Sequence, residues 1–465
     1  MDAGQQLQML ITSLSEKELK KLAAKVELDR GANQLGLPHN AIMQLLRPSL
    51  ALIRAERVHT PQRIFCLPFE DMLVNGKPDP KPTGYIDRST IQPMWVWFTK
   101  ELAKDTYPAL AKAYTDAQRE GDDEATFEAA KALWAHGASL MSDALKSVNV
   151  NDKAMREMAK KFGGENRLND VIEMAGCLRI AAFLEHAKSE MRAKPIHELT
   201  EPEILAAKRG YTEIADEVPG DEVYFLLAIT ARLLRPSSIF QILRTLSRKG
   251  DDAMLQKTDI GIVGKIAIDE LEQTAGKVKR SSAKGEFNEA AVVEDIYFFA
   301  QGFKEVTDNM GITRDGEWGQ RMFKARAQVS EAIDVKFLRD AEQRVMRALP
   351  TKSGGLIPKL ADMPNDHDFE VAERRAQAIH DINAISKQLG NQSNCLAIIS
   401  KLEKHFENYT TGLLKALPKA PEDLIPTAYA YVHIASRLME LIIGPDEADL
   451  LRRRGNAALK NTMVD

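Results

Sequence analysis

Residues 316–345 read GEWGQRMFKARAQVSEAIDVKFLRDAEQRV, and this stretch decides the fold class. Trp318, Met322, Val329, Ile333, Phe337, Ala341 and Val345 recur at steps of three or four residues and their sums, the spacing that places side chains on one face of an α-helix. No proline interrupts it, so the pattern predicts a helix of about eight turns.

Reading outward from that helix, the same periodicity returns in both directions. Downstream, residues from Pro350 to Asp366 turn rich in Ser, Gly, Pro, Asn and Asp, which marks a linker or long loop. Three helices are then expected from about Phe369, Ser393 and Pro426, a short polar one after Asp446, and a frayed tail past Gly455. Upstream, Asp122-Asp123-Glu124 opens a helix whose Phe127, Trp134 and Met141 repeat every seven residues, widened by Leu133 and Leu140. Gly163-Gly164 separates two helices, and Met174 to Leu184 is apolar nearly all round except at Arg179, which predicts a central helix. A proline-containing joint at Lys194 to Pro202 precedes a helix to about Val218 and an apolar helix from Val223. Further helices are expected from Asp251 and Phe287.

The apolar helix from Val223 is expected to include Leu233-Leu234-Arg235-Pro236-Ser237, a pentamer that repeats Leu45-Leu46-Arg47-Pro48-Ser49. The flanks of the two copies do not align, so the match alone does not establish a repeat. Near the N-terminus, Ser15-Glu16-Lys17-Glu18 is a capping box that opens a helix burying Leu19, Leu22, Ala23 and Val26. Pro38 starts a second helix carrying Ile42, Leu45 and Leu46.

The stretch from His59 to Phe98 breaks the pattern. It holds Pro61, Pro68, Pro78, Pro80, Pro82 and Pro93, two of the four tryptophans, and the apolar run from Ile64 to Phe69. Asn75-Gly76 is a strong turn signal, so a short hairpin pairing Ile64 to Leu67 with Met72 to Val74 or later residues is a candidate, although the prolines allow only edge strands. The expected architecture is all-α: a multi-helix antiparallel bundle array with one Pro-rich irregular segment near the N-terminus. Its expected parts are residues 1–98 as N-terminal helices plus the irregular segment, 99–350 as a central bundle, 351–368 as linker, and 369–465 as a C-terminal bundle.

Composition narrows the function classes. A net charge of −4 across 465 residues, with 44% hydrophobic and 28% charged residues, is that of a globular chain and makes nucleic acid an unfavoured partner. Cys66, Cys177 and Cys395 are far apart in apolar surroundings, as reduced core thiols are, and no apolar run is long and uninterrupted enough to span a bilayer. The expected location is cytoplasmic.

No catalytic constellation is legible. Cys66 lies near His59, yet no nucleophile motif accompanies it. Asp366-His367-Asp368 reads as a helix N-terminus better than as a metal site, and Glu56-Arg57-Val58-His59 has no second Glu-x-x-His partner. Gly261-Ile262-Val263-Gly264-Lys265 lacks the glycine spacing and the hydroxyl of a phosphate loop. Arg63, Asp87 and Arg88 could pair with Glu70 and Asp71 to hold the irregular segment in place.

Arg179, Arg232, Arg235 and Arg437 interrupt apolar helices, where a guanidinium must pair, reach water or hold an anion. His433 on the same apolar helix as Arg437 reads as a satisfied core histidine. Arg179, Arg232 and Arg235, with Trp95 and Trp97 as walls, therefore form a candidate anionic-ligand site between the Pro-rich segment and the bundle. Phe65, Phe69, Arg452, Arg453 and Arg454 form a candidate interaction surface. The leading functional expectation is a cytoplasmic helical scaffold or protein-interaction protein without cofactor or metal, whose partner is another protein, homo-oligomerisation included. The alternatives are an enzyme or binder of a small anionic ligand and, more weakly, nucleic-acid binding through the basic clusters at Lys277 to Arg280 and Arg452 to Arg454.

Overall fold

The computed structural model describes residues 59–76, 82–120, 122–148, 152–246, 260–281, 288–352 and 358–462, together with ten residues between Ile11 and Leu46. Among the described residues the protein is all-α apart from two strands of two residues each. Its chain divides into two compact units, residues 1–65 with 108–130, and residues 66–107 with 131–465.

In the first unit, Ile11, Leu19, Val26, Ile42 and Leu46 form a buried apolar cluster, flanked by Leu14, Leu22, Met43 and Leu45. Leu19, Leu22, Val26, Ile42, Leu45 and Leu46 are positions that the two expected N-terminal helices carry, whereas Ile11, Leu14 and Met43 are not among them. The Ser15 cap, Ala23, Pro38 and the first pentamer beyond Leu46 lie outside the described residues.

The Pro-rich stretch is helical in short pieces, which corrects the reading of it as non-helical. Helix α1 (Pro61–Cys66) runs into a tight 3-10 segment over Leu67–Met72, and strand β1 (Leu73–Val74) follows. Strand β2 (Ile86–Asp87) leads to α2 (Ile91–Trp97). Proline within the first turn of a helix removes an N–H that has no partner there, so the prolines punctuate short helices instead of excluding them. Asn75-Gly76 does turn the chain, with Gly76 at φ +65°. The strands pair in parallel, Leu73 with Ile86 and Val74 with Asp87, so the expected hairpin is replaced by a parallel contact.

The chain continues through α3 (Tyr107–Glu120), α4 (Asp123–Val148), α5 (Asp152–Phe162), α6 (Glu165–Arg179) and α7 (Ala181–Ser189). Along α4, Leu133, Trp134 and Met141 are buried as expected, but Phe127 is exposed. The apolar stretch from Met174 to Leu184 is mostly buried, though it is split between two helices by a break at Ile180. Next come α8 (Glu201–Glu217), opened by a Thr200–Glu203 capping box, and α9 (Glu222–Thr230). Helix α9 ends before the second pentamer; Leu233 bridges to Ile196, and Pro236–Ser238 form a 3-10 turn ahead of α10 (Ile239–Leu246). Pro236 lacks the N–H that a continuous helix would donate to the Arg232 carbonyl, and that carbonyl accepts the Ile196 N–H at 2.9 Å instead.

Helices α11 (Ile260–Arg280), α12 (Glu289–Asn309) and α13 (Glu317–Ile333) follow. Every residue of the stripe from Trp318 to Val345 is buried. The expected helix is continued by one wide π turn over Asp334–Leu338 and then by α14 (Ala341–Met346). Gly264 of α11 admits the Trp318 indole, because a Cβ at that position would overlap the ring. The glycines read against a phosphate loop are thus helical, and Gly264 serves packing.

The last four helices are α15 (Asp366–Leu389), α16 (Gln392–Ala416), α17 (Ile425–Ile442) and α18 (Pro445–Thr462). Gly455 lies inside α18 beside Val432, so the tail stays helical beyond the point where fraying was expected. One buried cluster joins Ala341, Val345 and Leu349 with Leu360, Ile379, Phe406, Tyr431 and Leu451. The loop after Pro350 therefore has the same core on both of its sides.

Candidate functional site: a charged cleft over a buried arginine

Helices α12, α14, α15 and α17 surround a cleft of about 800 Å³. Two capped ends fix its frame: the Asn288 side chain accepts the Ala291 N–H at 3.2 Å to start α12, and that of Asn365 accepts the Asp368 N–H at 3.1 Å to start α15. The residues Asp366 to Asp368 are thus a helix start, as read from the sequence.

Behind the cleft, Arg375 of α15 is fully buried. Its Nη1 donates to the carbonyls of Lys336 (2.8 Å) and Phe337 (2.7 Å) and to Asp340 Oδ1 (2.8 Å), while Nη2 donates to Glu289 Oε1 at 2.7 Å. The guanidinium also lies 5.4 Å from the centre of the Phe337 ring. The π turn after α13 supplies both carbonyls, so a local irregularity of the helix is satisfied from a distant one. Arg344 braces the same acids, 2.5 Å from Asp340 and 3.5 Å from Glu289. Glu289 Oε2 and Arg375 Nε are buried without a hydrogen-bond partner among the described residues.

Ion pairs also brace the opposite wall. Arg437 holds Glu373 at 2.7 Å and reaches Glu440 at 3.7 Å, and Glu440 in turn holds Arg452 at 2.7 Å. Along the cleft, Arg374 of α15 and Glu294 of α12 have no ion-pair or hydrogen-bond partner among the described residues, and Asp381 accepts only the Gln377 amide, at 2.8 Å. The site thus combines fixed walls with a few unneutralised charges of both signs.

The arginines singled out from sequence do not share a site. Arg179 makes a two-point pair with Asp221, both contacts 2.6 Å, and adds Ser142 at 3.0 Å. Arg232 takes Asp71 at 2.6 Å and the Arg192 carbonyl at 2.8 Å. Arg235 takes Glu305 at 2.9 Å, the same carboxylate that accepts the Ser237 and Ser238 hydroxyls. Each cation has its own acid, because burying an unpaired guanidinium costs more than burying a hydrogen-bonded pair. Of these three, Arg232 is the one whose carboxylate, Asp71, belongs to the Pro-rich stretch. Lys188 contributes there too, 2.9 Å from the Leu67 carbonyl.

Trp97 is buried edge-on against Phe162 at 5.3 Å, and Trp95 meets Tyr107 edge-on at 5.3 Å. A cavity of about 260 Å³ does lie between Thr83 of the Pro-rich stretch and α6, α9 and α11, but it is lined by Ile172, Tyr224 and Leu227 and not by the tryptophans. Phe65 and Phe69 are fully buried, which corrects their placement on an interaction surface; large aromatic side chains gain most from complete burial. Arg453 and Arg454 are exposed, while Arg452 is committed to Glu440 and Asp449. His433 is exposed and stacks edge-on with Tyr429 at 4.5 Å, so it is not a core histidine.

All three thiols are free and buried, and burial pushes Cys66 up to about 12 and Cys395 up to about 11, far from thiolate chemistry. Among the described residues no group of three His, Cys, Asp or Glu could hold a metal, and no helix is long and apolar enough to cross a membrane. Burial lifts Glu270 of α11 to about 8, and its charge adds to the desolvation that raises Tyr85 to about 12.

The sequence reading missed Arg375, Glu289 and Arg374. A signal for Arg375 was present: Ala372, Ile379 and Ile382 set a helical face on which position 375 also falls. Comparison with protein-family models, with curated proteins and with solved structures returns no match to this chain.

Proposed function

We propose that this protein is a helical interaction protein whose cleft between α12, α14, α15 and α17 receives a segment of a partner protein bearing charges of both signs. The observation that carries the reading is the cleft itself: about 800 Å³ with Arg374, Glu294 and Asp381 outside any ion pair among the described residues. Walls held by the Arg375, Arg344 and Arg437 pairs are ordered before binding, which lowers the entropy cost of association. Three buried free thiols suit a reducing compartment, so the cytoplasm is the proposed location.

A photo-crosslinking residue at Gln377 tests this, with Leu205, exposed on α8, as the control position. The expected result is one discrete adduct at Gln377, absent at Leu205 and reduced by Arg374→Glu. Equal labelling at both positions, or labelling indifferent to Arg374→Glu, overturns the reading. A second reading, a small zwitterionic ligand, is favoured by the volume, which falls within the range of small-molecule sites. Saturable thermal stabilisation by zwitterionic metabolites, together with no adduct at Gln377, would decide for it.

A further inference from the structure

One face of α6 carries Asn169, Ile172, Gly176 and Arg179 at steps of three and four residues, so the four positions form a single line along the helix. A cavity lies at each end of that line. The first, of about 260 Å³, is bounded by Asn169, Glu173, Leu227 and Ile262; the second, of about 300 Å³, by Ser142, Leu145, Lys146 and Arg179. Ile172 and Tyr224 belong to the walls of both. Between the cavities the Tyr224 ring rests on Gly176, where a Cβ would stand 2.5 Å from the ring carbons, and the Arg179 guanidinium lies 5.5 Å from the ring centre. The two cavities are therefore the halves of one groove along α6, crossed by a single tyrosine.

We propose that this groove binds a small monocarboxylate with an apolar body, its carboxylate at Lys146 and its body passing Ile172 towards Leu227 and Ile262. The chemistry of the two ends sets that direction. Lys146 pairs with Asp143 at 3.7 Å, but the two side chains are 78% and 70% exposed, so the pair is weak and the ammonium is open to a second anion. At the opposite end Glu173 is buried and its carboxylate accepts the Gly84 N–H at 3.4 Å, which repels an anionic head. Ile262, at that end, is 37% exposed, apolar area that a bound tail removes from water. The rise from Ile172 to Arg179 is about 10 Å, so an acyl chain as long as octanoate reaches from one cavity into the other.

Opposing influences are present as well. Arg179 already holds Asp221 by two contacts and Ser142 by a third, so it fixes Tyr224 and leaves the incoming carboxylate to Lys146. Tyr224 must turn aside before a ligand can span the groove, and the free energy of that turn lowers the affinity.

The test follows the Ile172 and Ile262 methyl resonances of the full chain by NMR during titration with octanoate, with octanol as the neutral arm. Both signals should move and saturate with octanoate, while the Leu205 methyls, exposed on α8, stay in place. Lys146→Gln should weaken octanoate about threefold relative to octanol, the size expected of an exposed ion pair. Ile172→Trp, which fills the wall shared by the two cavities, should abolish binding of both probes, read at Ile262. Tyr224→Ala should tighten octanoate about threefold or more, since no side chain then has to swing aside. Movement that fails to saturate, that Leu205 shares or that survives Ile172→Trp overturns the proposal. So does octanoate binding that is indifferent to Lys146→Gln or weakened by Tyr224→Ala. Ile172 is half-buried and Lys146 exposed, so their variants remain interpretable even if Tyr224→Ala fails to fold.

Discussion

The Pro-rich segment and the C-terminal helices are both well ordered by burial, yet opposite forces hold them. From α14 to α18 the core is a meeting of apolar stripes, from Val345 and Ile379 to Phe406 and Tyr431. Around residues 84–90, polar side chains of α6 grip the backbone: Asp170 accepts the Thr90 hydroxyl at 2.8 Å and the Asp87 N–H at 3.1 Å, and Glu173 accepts the Gly84 N–H at 3.4 Å. A chain that lacks long helices leaves its N–H and C=O groups unpaired, so acceptors and donors must come from elsewhere. A periodic segment satisfies itself and needs only apolar neighbours. The π turn over Asp334–Leu338 is where the two regimes meet, since a buried arginine repairs a helix there.

That comparison is broken most directly at the meeting point. Arg375→Ala takes the donor from the Lys336 and Phe337 carbonyls and leaves Glu289 and Asp340 to Arg344 alone, and should cost about 3–5 kcal/mol of stability, read as a lower chemical-denaturation midpoint. A loss below about 1 kcal/mol would mean that apolar packing alone holds the C-terminal helices.

Glu270 sharpens the comparison through pH. Its folded pKa of about 8 stands above the ordinary 4.5, so the folded chain keeps a proton that the unfolded chain releases. The contribution of this group is therefore complete below about pH 4.5 and lost as pH rises towards 8. Glu270→Gln should remove that dependence and stabilise the protein by about 2–4 kcal/mol at pH 8.5, with little gain at pH 4. Thermal unfolding of both proteins at the two pH values checks it, and parallel pH profiles would refute the assignment.

A smaller effect is expected where the Pro-rich segment is gripped. Asp170→Ala should cost about 1–3 kcal/mol and raise amide exchange at residues 87–90, with exchange in α17 unchanged. Uniformly faster exchange would show that the grip supports the C-terminal helices too. The smallest change belongs to the exposed pair Arg453 and Arg454, whose replacement by alanine should stay within about 0.5 kcal/mol of the parent stability.

Much of this fold was legible because helical periodicity is a local property. The Trp318 to Val345 stripe, the turns at Asn75-Gly76 and Gly163-Gly164, and the helix start at Asp366 are all encoded by neighbours within a few residues. The Pro-rich segment was misread for the same reason. Its prolines mark helix starts as readily as breaks, and the 3-10 segment over Leu67–Met72 is held by a residue more than a hundred positions away, as between Leu67 and Lys188.

The candidate sites were less legible still. The sequence shows that arginines occur among apolar residues, but each could have reached an acid or stood free, and its side chain spans several ångströms in any direction. Arg179, Arg232 and Arg235 found Asp221, Asp71 and Glu305; among the described residues Arg314 and Arg326 meet only aromatic faces. By itself the sequence determined an all-α chain and which faces of its helices turn inward, because burial follows a repeat of 3.6 residues. Only the tertiary structure decided which charges neutralise one another and where an 800 Å³ cleft remains, because an ion pair is set by distance in space, and no short-range pattern encodes that.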